Sequence, residues 1–409
     1  MSSFSIALSG LTASSSDLDV TANNIANADT VGFKESRAEF ADVYASGAVN
    51  LNTSVTGEGV RLASTSQQFT QGNISTSSSN LDLAISGDGF FTLKDAQGIV
   101  YSRNGQFAED SSGNVVSSTG QALQVYPPLV NGGFNTGALS DLNLQTAQSA
   151  PAATTGGTAI LNLPAGSPVP TVAPFDPTNS LTYNQSTSTT VYDSLGQSYP
   201  ATLYFTQTAA PNVWAVNMTV NGTQVPATAP GTLTFSNTGT VTAPAGGALS
   251  FTGFAPPDGA QAMNIAFNFG ATTQFGGDFG VTSITQNGFA TGQLSTVAID
   301  PSGIVSAVYT NGRSTELGQL AMANFPNPQG LKQLGDTNWS QTFTSGNVVS
   351  GTASSAGFGS IQSGALESSN VDLTTELVNM ITAQRSFDAN AQVITTANQE
   401  SQTVIQISH

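Results

Sequence analysis

Residues Ala22 to Lys34 read ANNIANADTVGFK. Three asparagines, Asn23, Asn24 and Asn27, crowd the last turn of a helical pattern, and the chain then turns at Gly32 into Phe33-Lys34. Side-chain amides at a helix end can satisfy the orphan carbonyls there, and asparagine tolerates the left-handed conformation that closes helices. Capping alone hardly needs three of them; the extra amides are expected to serve contacts with another copy of the chain. Gly32 supplies a tight turn and Phe33 an anchor on a neighbouring surface.

The helix that this stretch closes carries a heptad pattern. Phe4, Leu8, Leu11, Ser15, Leu18, Ala22 and Ile25 are spaced alternately four and three apart, with mostly Ser, Thr, Asp and Asn between them. This is a seam of coiled-coil type. Gly10 weakens the helix by about 1 kcal/mol relative to alanine. The same spacing returns at the C-terminus through Leu373, Leu377, Met380, Gln384, Phe387, Ala391, Ile394, Asn398, Ser401 and Ile405. No proline or glycine occurs from Val371 to His409. Ser369 or Asn370 is placed as the N-cap, with Asp372 and Glu376 near the positive end of the dipole. Each seam is narrow and no third long amphipathic helix is evident. The two helices are expected to pair with each other and with neighbouring copies.

Between them the period changes to two. LDLAISGDGFFTLKD turns at Asp88-Gly89, and Asn-Gly pairs at Asn104, Asn221, Asn287 and Asn311 signal hairpins. DSSGNV (Asp110 to Val115) and DPSGIV (Asp300 to Val305) share Asp, Gly and Val at the same relative positions. Segments before residue 150 and after 285 are therefore expected to belong to one kind of strand-rich domain. An Ala/Pro/Thr/Gly-rich stretch from Thr146 marks a boundary. The strands from about 180 to 280 are expected to form a separate inserted β domain.

The predicted class is α+β: paired long terminal helices of coiled-coil type plus two mostly antiparallel β domains, nested so that the middle of the chain lies outermost. The predicted division is an inner helical domain at 1–28 and 366–409, and a connecting region at 29–75 and 350–365. A β-rich domain follows at 76–147 and 288–349, and an outer inserted β domain at 148–287.

Composition narrows the function. Of 409 residues only 8% are charged, and the net charge is −17 with eight basic residues. That opposes nucleic-acid binding, which needs a Lys/Arg footprint, and opposes an anionic membrane surface. No stretch reaches the ~18 apolar residues of a membrane span. The N-terminus has neither a basic n-region nor a continuous apolar h-region, so no cleaved signal peptide is expected. Without cysteine there is no disulfide framework or thiol chemistry. The single histidine, His409, excludes Ser-His-Asp triads and histidine metal sites in their usual form. Asp278-Phe279-Gly280 lacks every other kinase element and reads as a Gly-rich turn. Asp88, Asp110 and Asp300 sit in turn motifs, which explains each without a paired-carboxylate site. No enzyme, cofactor or metal is expected.

ANNIANADTVGFK resembles the signature of bacterial flagellar axial proteins, Ala-Asn-Asn-hydrophobic-Ala-Asn-x-x-Thr-x-Gly-Phe-Lys. SNVDLTTELVNMITAQRSFDANAQVITTANQ (Ser369 to Gln399) resembles its C-terminal partner. GDGFFTL (Gly87 to Leu93) and YSRNGQF (Tyr101 to Phe107) resemble the strand-domain motifs, while VYDSLGQSYPATLYF (Val191 to Phe205) and LAMANFPNPQGLKQLGDTNW (Leu320 to Trp339) are similar to hook-type segments. Phe387 departs from the tyrosine of many relatives, which touches only a hydroxyl contact. The resemblance implies a curved tubular homopolymer that acts as a universal joint between the rotary motor and the filament. It implies neighbours in the distal rod, hook cap and hook–filament junction. Subunits would leave through the flagellum's type III export apparatus to an extracellular hook, with no nucleic acid and no membrane insertion. Assembly contacts are expected at Phe4, Leu8, Leu11, Leu18, Ala22, Ile25, Leu373, Leu377, Met380, Phe387, Ile394 and Ile405. The alternatives are a distal rod protein of the same family, whose members generally lack so large an insertion, and a secreted β-rich adhesin.

Overall fold

A computed structural model describes residues 2–43, 57–144, 148–226 and 231–407. His409, residues 44–56 of the connecting region and the side chain of Ile405 lie outside the described residues. The chain is mostly β-sheet with a helix at each end, α1 (Ser2–Ala26) and α2 (Leu373–Ile407). It divides into two compact units, residues 1–145, 296–308 and 314–409, and residues 146–295 with 309–313.

In the first unit α1 and α2 run antiparallel: Gly10 lies against Asn390, and Asn24 against Glu376. A β-carbon at Gly10 would stand 2.7 Å from Asn390 Oδ1. The glycine that weakens α1 as an isolated helix thus makes room for its partner. The face of α1 that is covered is Ala7, Ala13, Ser14, Thr21 and Asn24, beside the apolar seam rather than on it. Small side chains let two backbones approach closely, and the larger ones are left outside. Phe4 and Leu8 are 43% and 48% exposed, and Ala22 is exposed, while Leu11, Leu18 and Ile25 are half-buried. On α2, Met380, Phe387 and Ile394 are half-buried, but Leu373 and Leu377 are 46% and 50% exposed.

The chain leaves α1 into an antiparallel hairpin, Ser36–Asp42 with Val60–Gln67. Short pairs then tie the two flanks together: Ile74–Thr76 with Ala365–Glu367, and Leu83–Ser86 with Ser360–Ser363. Beyond them, segments before 150 and after 290 interleave in one antiparallel sheet. Gln319 pairs Tyr126, Met322 pairs Phe91, and Asn338 pairs Ser102. Its core gathers Leu83, Phe91, Leu93, Leu123, Val305 and Leu320.

The second unit has two sheets around one core. One runs Ala248–Phe254, Met263–Asn268, Gly156–Asn162, Gly280–Gln286; the other begins Gln185–Tyr192, Ser198–Gln207, Val213–Val220. Alternate residues Tyr199, Ala201, Leu203 and Phe205 point inward and meet Trp214, Phe251, Phe267 and Phe269, as strand periodicity requires.

The two matching turn motifs share their geometry. Asp110 Oδ1 accepts the N–H of Ser112 (2.7 Å) and Asn114 (2.9 Å), and Asp300 Oδ1 that of Ser302 and Ile304 (both 2.9 Å). Gly113 and Gly303 sit at φ 79° and 80°. Asp193 repeats the arrangement with Leu195 and Gln197. Of the four Asn-Gly pairs, those at Asn221 and Asn311 join paired strands; those at Asn104 and Asn287 do not. Gly105 is needed for close approach instead, since a β-carbon there would lie 1.6 Å from Leu83 O. Asn287 receives the N–H groups of Thr155 and Gly156 at 3.0 Å. Asp88-Gly89 links strands of different sheets and is not a hairpin turn.

Candidate assembly site at the helix exit

The three asparagines of the opening stretch have three different fates. Asn27 acts as the helix end demands: its Nδ2 donates to Asn23 O at 3.0 Å, and its Oδ1 accepts from Thr30 Oγ1 at 3.1 Å. Asn24 is buried and turned inward. Its amide receives Ser36 N–H at 2.9 Å and donates to Ser36 O at 2.8 Å, imitating a neighbouring strand. Asn24 Nδ2 also lies 3.4 Å from Glu376 Oε2, joining the end of α1 to the start of α2. Only Asn23 keeps an exposed side chain. Two of the three amides are therefore spent inside the chain, a correction to the expectation that the extras face another copy.

Asn370 mirrors Asn24 from the C-terminal flank. Its Oδ1 accepts Glu35 N–H at 2.7 Å, and its Nδ2 donates to Gln68 O and Thr70 Oγ1, both at 2.8 Å. It stitches the incoming strand rather than capping α2. The N-terminal turn of α2 is capped by Asp372, whose carboxylate accepts from Thr374 and Thr375 N–H at 2.8 and 3.0 Å.

Gly32 holds φ 71°, and a β-carbon there would lie 2.6 Å from the backbone of Arg103 and Asn104. The turn so formed delivers Lys34 into the interior. Lys34 Nζ is 2.7 Å from Glu367 Oε1 and 2.7 Å from Thr70 O. Arg103 Nη1 reaches Glu367 Oε2 at 3.1 Å, and its Nη2 donates to Gly87 O at 2.9 Å. Gly72 N–H completes the carboxylate's shell at 2.9 Å. All three charged side chains are essentially buried. Burial pulls Lys34 below its ordinary range, opposed by the Glu367 charge and hydrogen bond, and Arg103 is lowered for the same reason. This cluster joins the exit of α1, the entry of α2 and the strand sheet. Motif reading singled out none of the three. The available signal was scarcity: two of only eight basic residues sit in the quoted motifs GFK and YSRNG.

Beside the cluster, Phe69, Phe90 and Trp339 meet edge to face at 5.5–5.6 Å, and Trp339 Nε1 donates to Gln67 Oε1 at 2.6 Å. Two cavities flank the exit. One of about 480 Å3 is lined by Asp17, Asn24, Glu35, Arg37 and Glu376. Burial raises the carboxyl of Asp17, and burial together with the nearby Glu376 charge raises that of Glu35. The other, about 430 Å3, is lined by Asn23, Asn27, Phe33, Ser118, Asp336 and Trp339 among others. Among the described residues no group of three or more His, Cys, Asp or Glu is gathered to hold a metal ion, and no helix is long and apolar enough to cross a membrane.

Comparison with known proteins fits this geometry. Residues 4–34 match the family model described as flagella basal body rod protein, and 362–407 match flagellar basal body rod FlgEFG protein C-terminal. Residues 84–156 match flagellar hook protein FlgE/F/G D1 domain, and 162–289 match flagellar basal body protein FlaE D2 domain. The chain is 39% identical over 416 residues to the flagellar hook protein FlgE of Salmonella typhimurium, covering 99% of this chain and 100% of that one. With FlgE of Escherichia coli K12 it is 38% identical over 411 residues, covering 99% of each. The crystal structure of Helicobacter pylori flagellar hook protein FlgE2 superposes with a TM-score of 0.52 at 14% identity, over 72% of this chain and 100% of that one, a likeness of fold.

Proposed function

Because the chain belongs to the flagellar hook protein family, we propose that it is the structural subunit of the bacterial flagellar hook, a curved helical homopolymer that passes motor torque to the filament while bending. The observation that supports this most is the surface of the helix pair. Phe4, Leu8, Leu373, Leu377 and Ile381 are roughly half exposed in the single chain, an arrangement better suited to burial between copies than to water. With Leu11, Leu18, Ala22, Ile25, Met380, Phe387, Ile394 and Ile405 they form the inner assembly contacts, packed in coiled-coil fashion across copies. The helices line the channel, the sheet unit surrounds them and the second unit lies outermost, in the four-part division set out above. Asn23 and Phe33 belong to the same contact region.

The family implies the distal rod, hook cap and junction proteins at the two ends of the polymer, and export through the type III apparatus. The role is mechanical and needs no catalytic centre. Outer surfaces rich in Ser, Thr, Asn and Gln offer many water-bridged registers of similar energy, which suits sliding during bending.

Electron microscopy tests the proposal with the full chain beside one lacking residues 1–22 and 377–409, a trim that spares Asn24, Lys34, Glu367 and Asn370. Curved tubes from the full chain and a folded monomer from the trimmed one are expected. Straight rigid polymers would favour a rod subunit. Compact monomers from both would overturn the proposal.

A further inference from the structure

Two features of the first unit lie beyond the exposed apolar face of the helix pair. The first is a knob. Phe343 is 102% exposed, with its whole ring in water. Its turn is held firmly: Thr342 N–H donates to Ser345 Oγ at 2.9 Å, Ser345 N–H to Thr342 Oγ1 at 3.2 Å, and Ser345 Oγ to Thr342 O at 2.8 Å. Ser345 is buried, and Thr342 Oγ1 fastens the turn to Gly330 O. A ring presented this way loses little freedom on binding.

The second is a socket, the cavity of about 430 Å3 lined by Phe33 and Trp339, with Asn23, Asn27, Ser118 and Asp336 among its other walls. It lies at the tip of the hairpin Lys332–Gly335 with Asn338–Ser340. Asp336 and Thr337 occupy the left-handed region in succession, at φ 50° and 57°. Neither is glycine, and a branched residue there is strained. Knob and socket stand at opposite ends of one hairpin, separated by roughly four residues of strand, about 13 Å. Charge follows the same polarity. Lys332, exposed and without an ion-pair partner among the described residues, lies at the knob end, and the exposed Asp336 lies at the socket.

We propose that Phe343 of one copy inserts into the Phe33–Trp339 cavity of the next copy, with Lys332 of the first approaching Asp336 of the second. A knob and a complementary pocket on different faces of one chain make a heterologous contact, which propagates instead of closing into a pair. The ring lies against Phe33 and the edge of the largely buried Trp339, in a cavity whose other walls are mostly polar. The inference rests on the polymer reading above and assigns to it a second contact, whose knob is borne by the strand unit and whose socket reaches the exit of α1.

The chain has no cysteine, so cross-linking is unambiguous. Phe343 and Ser118 are both exposed, and their replacement leaves the core intact. The full-length F343C/S118C variant, polymerised and oxidised, is expected to give a covalent ladder of dimers, trimers and higher species. Each single variant is expected to stay monomeric on a denaturing gel. F343A is expected to raise the concentration needed for polymerisation about tenfold or more, as loss of a central aromatic anchor does. Polymer from the double variant without covalent species, or F343A polymerising at the wild-type concentration, overturns the knob-and-socket contact and leaves the hook reading standing. Dimers from F343C alone would mean that two rings meet each other, and would also overturn it. Failure of the unaltered chain to polymerise would remove both.

Discussion

The second unit and the helix exit bury their interiors by opposite means. Around Trp214 the sheets enclose Phe205, Phe251, Phe267 and Phe269, and large apolar side chains fill the space. At the helix exit the buried side chains include Asn24, Lys34, Glu367 and Arg103, and the covered face of α1 carries alanine, serine and threonine, with Gly10 against Asn390 of α2. The first kind of core is non-directional and complete within one chain. The second is directional: each group is held by a specific partner, and the large apolar residues remain outside. Several large apolar residues of the helix pair stay about half exposed in the single chain, and the function proposed above assigns their further burial to neighbouring copies.

Removing a central member of each interior sharpens this contrast and has the largest expected effect. Trp214→Ala leaves a cavity in the second unit, at a cost of about 3–5 kcal/mol. Glu367→Ala leaves Lys34 and Arg103 buried without their anion, at a similar cost of about 3–5 kcal/mol. Region-resolved hydrogen exchange separates the two. Trp214→Ala is expected to loosen residues 156–286 alone, and Glu367→Ala the exits of both helices and the segment around Thr70 and Gly87. Replacing the whole triad with apolar residues of matching volume is expected to recover much of the loss, because ion pairs in low-dielectric surroundings are little better than good packing. If Glu367→Ala left the helix exits unchanged, the cluster would not be what joins them to the sheet.

Gly32→Ala has a smaller but sharper effect. The new methyl group must leave φ 71° and also clear the Arg103–Asn104 backbone at 2.6 Å. Backbone cannot swing aside as a side chain can, and a loss of about 1–3 kcal/mol follows. Gly10→Ala is the control. Its close neighbour is the amide of Asn390, a movable side chain, and alanine regains about 1 kcal/mol of helix propensity. Denaturant midpoints are expected to fall clearly for Gly32→Ala and hardly for Gly10→Ala; equal losses would contradict the assignment of Gly32 to close backbone approach.

These residues also mark how far the sequence could be read. The ends were legible as helices because heptad spacing, capping residues and freedom from proline all agreed over long windows. The strand-rich middle was legible from period two, and the shared geometry of Asp110 and Asp300 from six matching letters. What sequence did not reveal was which helix face is used. The apolar seam is the louder signal, yet the helices meet one position away, where Ala7, Gly10, Ser14, Thr21 and Asn24 permit close approach. An apolar pattern reports that a face favours burial, without saying against what. The triad was illegible for a related reason: a buried ion pair is a relation between residues 34, 103 and 367, and no local window contains it. The Asn-Gly pairs at Asn104 and Asn287 misled because glycine also serves close approach, a use that turn chemistry cannot distinguish.

The two regions should also respond to acid in opposite directions, the smallest of the expected effects. Asp176, in the second unit, is held below its ordinary carboxyl range by the hydroxyl and then the backbone N–H of Thr178. The unfolded chain therefore binds a proton more readily than the folded one below about pH 3.8. The stability this turn contributes is present above that value and is lost as pH falls through the folded value. Asp17 and Glu35 at the helix exit are raised, so there the folded chain takes up protons first. Their contribution runs the other way: a penalty is present above their folded values and is relieved as pH falls toward 3.8 and 4.5, the values of free side chains. Between pH 6 and 4, hydrogen-exchange protection, corrected for intrinsic rates, is expected to rise slightly around Glu35 and to stay level around Asp176. Below pH 3.8 it is expected to fall around Asp176. Glu35→Gln should abolish most of the rise at the exit without touching the loss in the second unit. A rise that survives Glu35→Gln would assign the effect to Asp17, the other raised carboxyl of that cavity, and a fall in protection at the exit between pH 6 and 4 would contradict the sign altogether.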